Sequence, residues 1–466
     1  MKGSKHIVLL LFLWLMLSVV WLCAMIELTT LVSYHHFFTA GELFAWVTAN
    51  PYEVGDIVGY CMRYVSPYWI VCTVVFIFAG FIIWRCVNRG GRKQIWVCGA
   101  VQCLFLLPFT ALPLRGNIVR EATYVYRQIK NIAVHQNDSQ SFSYQACKKE
   151  SLEQAEIYVL AIGESVRYKN LSLNGIYERE TTPMLAQQSN LCLYSDYYAN
   201  ATLTQHAIPL LFTPAIVDNF NDHFQYKSIA AAFSEAGFKS VLISHRAQLM
   251  NNGYHDYLAQ DFDSVLFVEQ DSLIVPTLAA IAQQEPKLFV VTHYLGNHMF
   301  YTNRTEDCLV WRPDYNADPK AKSDSLFLNA YDNSLLYTDR LLHEAVSALD
   351  SMNTICSWLF ISDHGEYISS RVSGHGHTYL PAKEEYHVPL MVWCSDEYAE
   401  AYPEKVANMI KHKDEPICAN HVFWSVLDMA GITIENAQKE ASVFGEHVTG
   451  TNRQLLLPDG KTKMQL

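Results

Sequence analysis

Residues 157–183 read IYVLAIGESVRYKNLSLNGIYERETTP, and the fold class turns on them. An unbroken apolar run reaches Gly163-Glu164-Ser165, and an Asn-rich loop carrying Arg167 follows. A short apolar run closed by turn residues is the pattern of a strand buried on both faces. Glu164 stands where that strand ends, as a solvated turn residue or as a carboxylate placed for chemistry.

The same pattern recurs downstream. Strands are expected at 157–163, 239–245, 288–294, 357–363 and 388–394, with helical stretches such as YKSIAAAFSEAG and AYDNSLLYTDRLLHEAVSALDS between them. Leu335, Leu341, Leu342, Val346 and Leu349 share one face of the latter. Strand and helix in alternation predict an α/β fold with a mainly parallel sheet flanked by helices. Active sites of such sheets collect at the carboxyl ends of the strands. Glu164, His293, Asp363 and His364 all fall there.

The second strong signal is SWLFISDHGEY, residues 357–367, where Asp363 and His364 leave a strand and Gly365 and Glu366 follow. Carboxylate and imidazole are ordinary zinc ligands. HYLGNHMF adds His293, Asn297 and His298, and GHGHTY adds His375 and His377. Each motif alone has a plain reading as a turn or a solvated loop. Four strand-end loops bearing such groups together predict a metal site.

A nucleophile is also needed, and no G-x-S-x-G elbow is present. NATLTQHAIPLLFTPA, residues 200–215, offers Thr202 and Thr204 just ahead of a helical stretch. Metal coordination lowers a hydroxyl's pKa, and a helix N-terminus favours the anionic group that forms there. Capping the helix is the alternative role for either threonine.

Composition divides the 466-residue chain. Residues 1–115 hold few charges and three apolar runs, 7–26, 68–84 and 95–114, each near the roughly 20 residues that cross a bilayer. Arg85, Arg89, Arg92 and Lys93 lie between the second and third runs. By the positive-inside rule this loop and the N-terminus are cytoplasmic, and all that follows residue 114 is outside. The stretch 30–67 is expected outside, as short helices at the interface. The expected organisation is a transmembrane domain at 1–115, a connector at 116–150 and a catalytic domain at 151–466. A net charge of −12 without a basic run argues against nucleic-acid binding. The twelve cysteines include no CxxC pair and no zinc-finger spacing.

IGESVRYKNLSLNGIYERETTPML, ATLTQHAIPLLF, YDNSLLYTD, SDHGE and HGHTYLPAKEEYHVPLMVW, in this order, resemble the phosphoethanolamine transferases that modify bacterial lipopolysaccharide. That family includes the mobile colistin-resistance enzymes, which confer polymyxin resistance, and belongs to the alkaline-phosphatase/sulfatase superfamily. The resemblance spans roughly residues 155–395. It implies a zinc ion held by Glu164, Thr204, Asp363 and His364, with Thr204 as nucleophile because the family's threonine lies five residues before a proline, here Pro209. It further implies that His298 and His375 contact the phosphate or a second zinc, and that Glu53 of TANPYE helps to seat the donor head group. The implied donor is phosphatidylethanolamine, and the implied acceptor is lipid A or another envelope glycan. The implied protein is a monomer in the bacterial inner membrane with its catalytic domain in the periplasm.

Two features depart from the family. Asn200 and Leu210 stand where a disulfide commonly brackets the nucleophile, and three apolar runs replace the usual five spans. The alternatives are a glycerol-phosphate transferase of the lipoteichoic-acid-synthase type and a membrane-anchored binding protein without catalysis. The C/S-x-P-x-R signature of sulfatases is missing.

Overall fold

The apolar runs near the N-terminus form two long helices in the computed structural model, α1 (Lys2–Tyr34) and α2 (Ser66–Arg89). The structure describes residues 2–34, 61–89, 118–135, 137–148, 152–245, 258–314, 323–369, 374–376, 383–435, 441–449 and 453–466, with 43, 54–55, 58–59, 100 and 438. The chain divides into two compact units, Met1–Lys130 and Asn131–Leu466. Within the first, Leu13 and Leu17 of α1 pack on Ile83 of α2, and Trp14 meets Phe76 edge-on with ring centroids 5.7 Å apart. Leu11–Thr29 and Ser66–Arg85 have mean hydropathies of 2.2 and 2.1 and are long and apolar enough to cross a membrane. They overlap the first two expected spans. The third, 95–114, lies outside the described residues except at residue 100, and Glu53 lies outside them too.

Helix α3 (Ile118–His135) follows. The second unit is organised by a seven-stranded sheet: β1 (Glu156–Gly163), β2 (Leu191–Leu193), β3 (Lys239–Ser244), β4 (Ser264–Phe267), β5 (Lys287–His293), β6 (Ile355–Ser362) and β7 (Leu390–Cys394). Their order is β2-β7-β6-β1-β5-β3-β4. The run β6-β1-β5-β3-β4 is parallel, whereas β7 is antiparallel to both β6 and β2.

Every residue of β1 is buried, as its unbroken apolar run requires of a strand covered on both faces. Helix α4 (Thr204–Phe212) lies at the carboxyl edge, while α5 (Ile229–Glu235) and α6 (Asp324–Asp350) cover the faces. Ile157, Val159 and Ala161, alternate residues of β1, join one core cluster with Leu335, Leu341, Leu342, Val346 and Leu349 of α6. Tyr158 points to the other face, toward Phe233 of α5, which stacks on Phe289 of β5 at 3.7 Å. All five expected strands are present. The two edge strands, β2 and β4, are not among the five, because they are three and four residues long, partly exposed, and lack the long apolar run of their neighbours.

Candidate active site

Three parallel strands end side by side, and backbone bonds stitch their exits together. Asp363 N donates to Gly163 O at 3.0 Å, Tyr294 N to Ile162 O at 2.9 Å and Asn297 N to Glu164 O at 3.1 Å. Val166 N donates to Ser362 Oγ at 2.8 Å. Gly163 permits this approach, because a Cβ there would stand 2.6 Å from Phe360 Cζ. The stitching brings Glu164, Asp363 and His364 together at the carboxyl edge of the sheet, each 0–1 % exposed.

Thr204 arrives from another direction, as the first residue of α4. The N-cap is Leu203, in extended backbone, so neither threonine fills the capping position. Thr204 Oγ1 instead donates to Glu164 Oε1 at 3.1 Å and lies 3.5 Å from His364 Nε2. Among the described residues no hydrogen bond joins Thr202 to this group. Where the resemblance leads one to look for a bracing disulfide, Leu210 is buried in the core. Asn200 is tied by its Nδ2 to Gln454 O at 2.6 Å and by its carbonyl to Leu456 N at 2.7 Å. Nine cysteines, among them Cys192, Cys308, Cys356, Cys394 and Cys418 of this unit, are free.

His364 Nε2 lies 3.0 Å from Glu164 Oε1 and 3.4 Å from Asp363 Oδ2. Its Nδ1 donates to the carbonyl of Gly365 at 2.8 Å, which fixes a proton on that nitrogen and turns Nε2 toward the carboxylates, where a bound metal would displace the second proton. Burial raises the Asp363 carboxyl above its usual range, and repulsion from Glu164 raises it further. Burial alone would lower His364, but Asp363 and Glu164 override it and lift the imidazole to about 10. Two adjacent buried carboxylates call for a compensating cation. The buried Asp363 Oδ2 has no hydrogen-bond partner, which leaves it free to ligate. This donor set, with carboxylate, imidazole and hydroxyl converging, fits a zinc-sized ion.

His375 joins the cluster. Ligand atoms of Glu164, His364 and His375 all lie within 4.8 Å of one another, a grouping able to hold a metal ion. The His375 ring lies 4.0 Å from that of His364, and the His298 ring lies 5.9 Å from His375. His293 approaches from the end of β5, its Nε2 3.9 Å from Glu164 Oε2. His377 lies outside the described residues.

Glu366 has a part that the sequence reading passed over. It is fully buried and accepts from His375 Nδ1 and Tyr301 OH, each at 3.0 Å. Burial would raise its carboxyl, yet the charges of His375, His364 and His298 hold it below the ordinary glutamate range. The one available signal was its place in SDHGE, two residues beyond His364.

A family model described as Sulfatase matches residues 156–432, which is 277 of the 466 residues. The Kdo(2)-lipid A phosphoethanolamine 7''-transferase of Escherichia coli K12 is 28 % identical over 307 residues, covering 61 % of this chain and 52 % of that protein. The chain spans about half the length of the curated relatives it matches. Among solved structures, the C-terminal periplasmic domain of EptC from E. coli, in complex with zinc, aligns with a TM-score of 0.61 at 21 % identity. That alignment covers 69 % of this chain and 94 % of the EptC domain. The integral membrane protein lipooligosaccharide phosphoethanolamine transferase A from Neisseria meningitidis aligns with a TM-score of 0.64 at 16 % identity, covering 92 % and 86 % of the two chains.

Proposed function

Because the chain belongs to the sulfatase family and is homologous to phosphoethanolamine transferases, we propose that it transfers phosphoethanolamine from phosphatidylethanolamine to lipid A or another envelope glycan. The observation that supports this reading is the Thr204 hydroxyl, set at the start of a helix and hydrogen-bonded to Glu164 at 3.1 Å beside His364.

In this reading Glu164, Thr204, Asp363 and His364 hold a zinc ion. Zinc, when bound, lowers the pKa of the threonine hydroxyl and neutralises charge on phosphoryl oxygens. Thr204 Oγ attacks the phosphorus of the donor. The phosphorus–oxygen bond to diacylglycerol breaks, and the diacylglycerol oxygen leaves with the proton that Thr204 gave up. Phosphoethanolamine is then an ester of Thr204. The acceptor oxygen attacks the same phosphorus, the bond to Oγ breaks, and the hydroxyl is restored. Positive partial charge at the first turn of α4 favours the anionic oxygens at both stages. His298 and His375, on neighbouring loops, contact the phosphate or a second zinc, and Glu53 helps to seat the donor head group. The two apolar helices tether the catalytic unit to the bacterial inner membrane, with that unit in the periplasm.

Intact-protein mass spectrometry tests this, on full-length protein purified from cells rich in phosphatidylethanolamine beside Thr204→Ala. A phosphoethanolamine-sized increment on the wild type alone is the expected result. A glycerol-phosphate-sized increment, or an increment that survives Thr204→Ala, overturns it.

A further inference from the structure

Arg167 lies three residues beyond Glu164 and is only 6 % exposed. Its Nε is buried without a hydrogen-bond partner. Among the described residues its guanidinium makes neither a hydrogen bond nor an ion pair. The other described arginines of this unit that are buried or half-buried are all engaged. Arg179 pairs with Asp332 at 2.8 Å, Arg340 with Glu306 and Asp307, and Arg453 with Asp196 at 2.7 Å. Arg304 donates to the carbonyls of Met299 and Phe300.

A guanidinium cannot shed its proton, so burial cannot neutralise it as it would a lysine. A buried Nε without a partner leaves part of that charge unsatisfied, which is costly. Glu384 feels its charge, but that carboxylate sits 3.6 Å from Lys169, on a rim that is partly open to solvent. The phenols of Tyr177 and Tyr331 feel the charge as well.

These neighbours belong to the elements that build the site. Tyr331 OH donates to Ser165 O at 2.8 Å and accepts from Arg167 N at 2.8 Å, while its ring meets that of Tyr301, the residue bonded to Glu366. The segment holding Glu384 also seats the metal-edge loops. Gly365 N donates to Glu385 O at 2.8 Å, and Gly376 N to Glu385 Oε2 at 2.8 Å. Asp332 makes the Arg167 loop rigid by accepting from Asn170, Tyr177 and Arg179 at 2.6–2.9 Å. The backbone that carries Arg167 is therefore held in place before any ligand arrives.

We propose that Arg167 is a substrate-binding residue that receives a phosphate group of the lipid, by the paired hydrogen bonds that guanidinium and phosphate form. The proposal rests on the transferase reading above for the source of that phosphate, which is donor or acceptor.

The test uses full-length protein in detergent or nanodiscs, with Arg167→Met and Arg167→Lys. Removing a buried, unpaired charge should leave the melting temperature of Arg167→Met equal to or above that of wild type. Its affinity for inorganic phosphate and for O-phosphoethanolamine should fall about tenfold or more, with partial recovery in Arg167→Lys. Slower loading of Thr204 from phosphatidylethanolamine assigns the contact to the donor. Normal loading with slower discharge to a phosphorylated glycolipid assigns it to the acceptor. Either outcome supports the proposal. A lower melting temperature with unchanged phosphate affinity overturns it and makes Arg167 a structural partner of Glu384. Wild-type protein that binds phosphate through Arg167 but never loads Thr204 refutes the transferase reading and leaves the anion site standing.

Discussion

Glu366→Gln removes one negative charge from the network behind the metal-edge histidines and changes no volume. In the wild type the carboxylate accepts a hydrogen bond from His375 Nδ1, which leaves Nε2 as the nitrogen able to reach a metal or a phosphate. A glutamine offers one carbonyl oxygen and one amide nitrogen. If the oxygen faces His375, the geometry survives without the assistance of the charge. If the nitrogen does, the ring must accept at Nδ1 and carry its proton on Nε2, where it blocks ligation. One charge-assisted hydrogen bond is at stake, about 1.5–3 kcal/mol, or roughly 10-fold to 150-fold. That agrees with the loss on the order of 10-fold to 100-fold expected on altering an outer partner of a metal ligand. The assay is competition for zinc against a chromogenic chelator, followed by kcat at saturating zinc. Tyr301→Phe serves as a control, since it removes the other donor to the carboxylate and leaves His375 alone. Zinc affinity and kcat within twofold of wild type for Glu366→Gln would refute the reasoning.

Other perturbations follow from the same structure. Lys148 and Glu156 form a buried ion pair, with side chains 4 % and 0 % exposed, and burial pulls the Lys148 pKa below its ordinary value despite the opposing pull of Glu156. Lys148→Met strands the carboxylate, at about 3–5 kcal/mol. With about 2.1 cal/mol/K of unfolding entropy per residue over the 336 residues of Asn131–Leu466, calorimetry should show the melting temperature drop by roughly 4–7 °C. Most of it should return in Lys148→Met/Glu156→Gln, and a double variant as unstable as the single one contradicts the account. His223 is buried beside Phe220 and His206, and burial lowers its pKa from 6.5 to about 3. A depressed histidine contributes stability that is present above pH 6.5 and lost as pH falls toward 3, roughly 3 kcal/mol by pH 4. Denaturant melts from pH 7 to 4 should show this slope, and His223→Gln should flatten it. Gly365→Ala places a Cβ 2.1 Å from Glu384 O, a backbone atom that must move, and so displaces the turn carrying His364. A loss of kcat on the order of 100-fold is expected, as for a misplacement near 1 Å, and a wild-type rate would contradict it.

Five of the seven strands, and the groups that stand at their ends, were legible in the amino-acid pattern. Unbroken apolar runs such as residues 157–162 and 358–361 have no stable place except between two covering layers, so their burial was legible from composition alone. Glu164, Asp363 and His364 directly follow such runs, and that is why they were readable as neighbours. The two apolar helices were legible for a similar reason, since their length matches a bilayer's thickness.

The remaining features depend on contacts between segments far apart in the chain. The residue pattern alone left Thr202 and Thr204 open and the family resemblance favoured Thr204, but only the packing of α4 across the strand ends puts the Thr204 hydroxyl on a carboxylate 40 residues away. The pairing of Glu366 with His375 and Tyr301, and the isolation of Arg167 beside the bonded Arg179, leave no local trace, because a polar residue in a loop looks the same whether its partner is water or a buried side chain. The antiparallel course of β7 was equally hidden. A strand covered on both faces reads alike in either direction, so its orientation follows from how the chain returns to the sheet, which local periodicity does not encode.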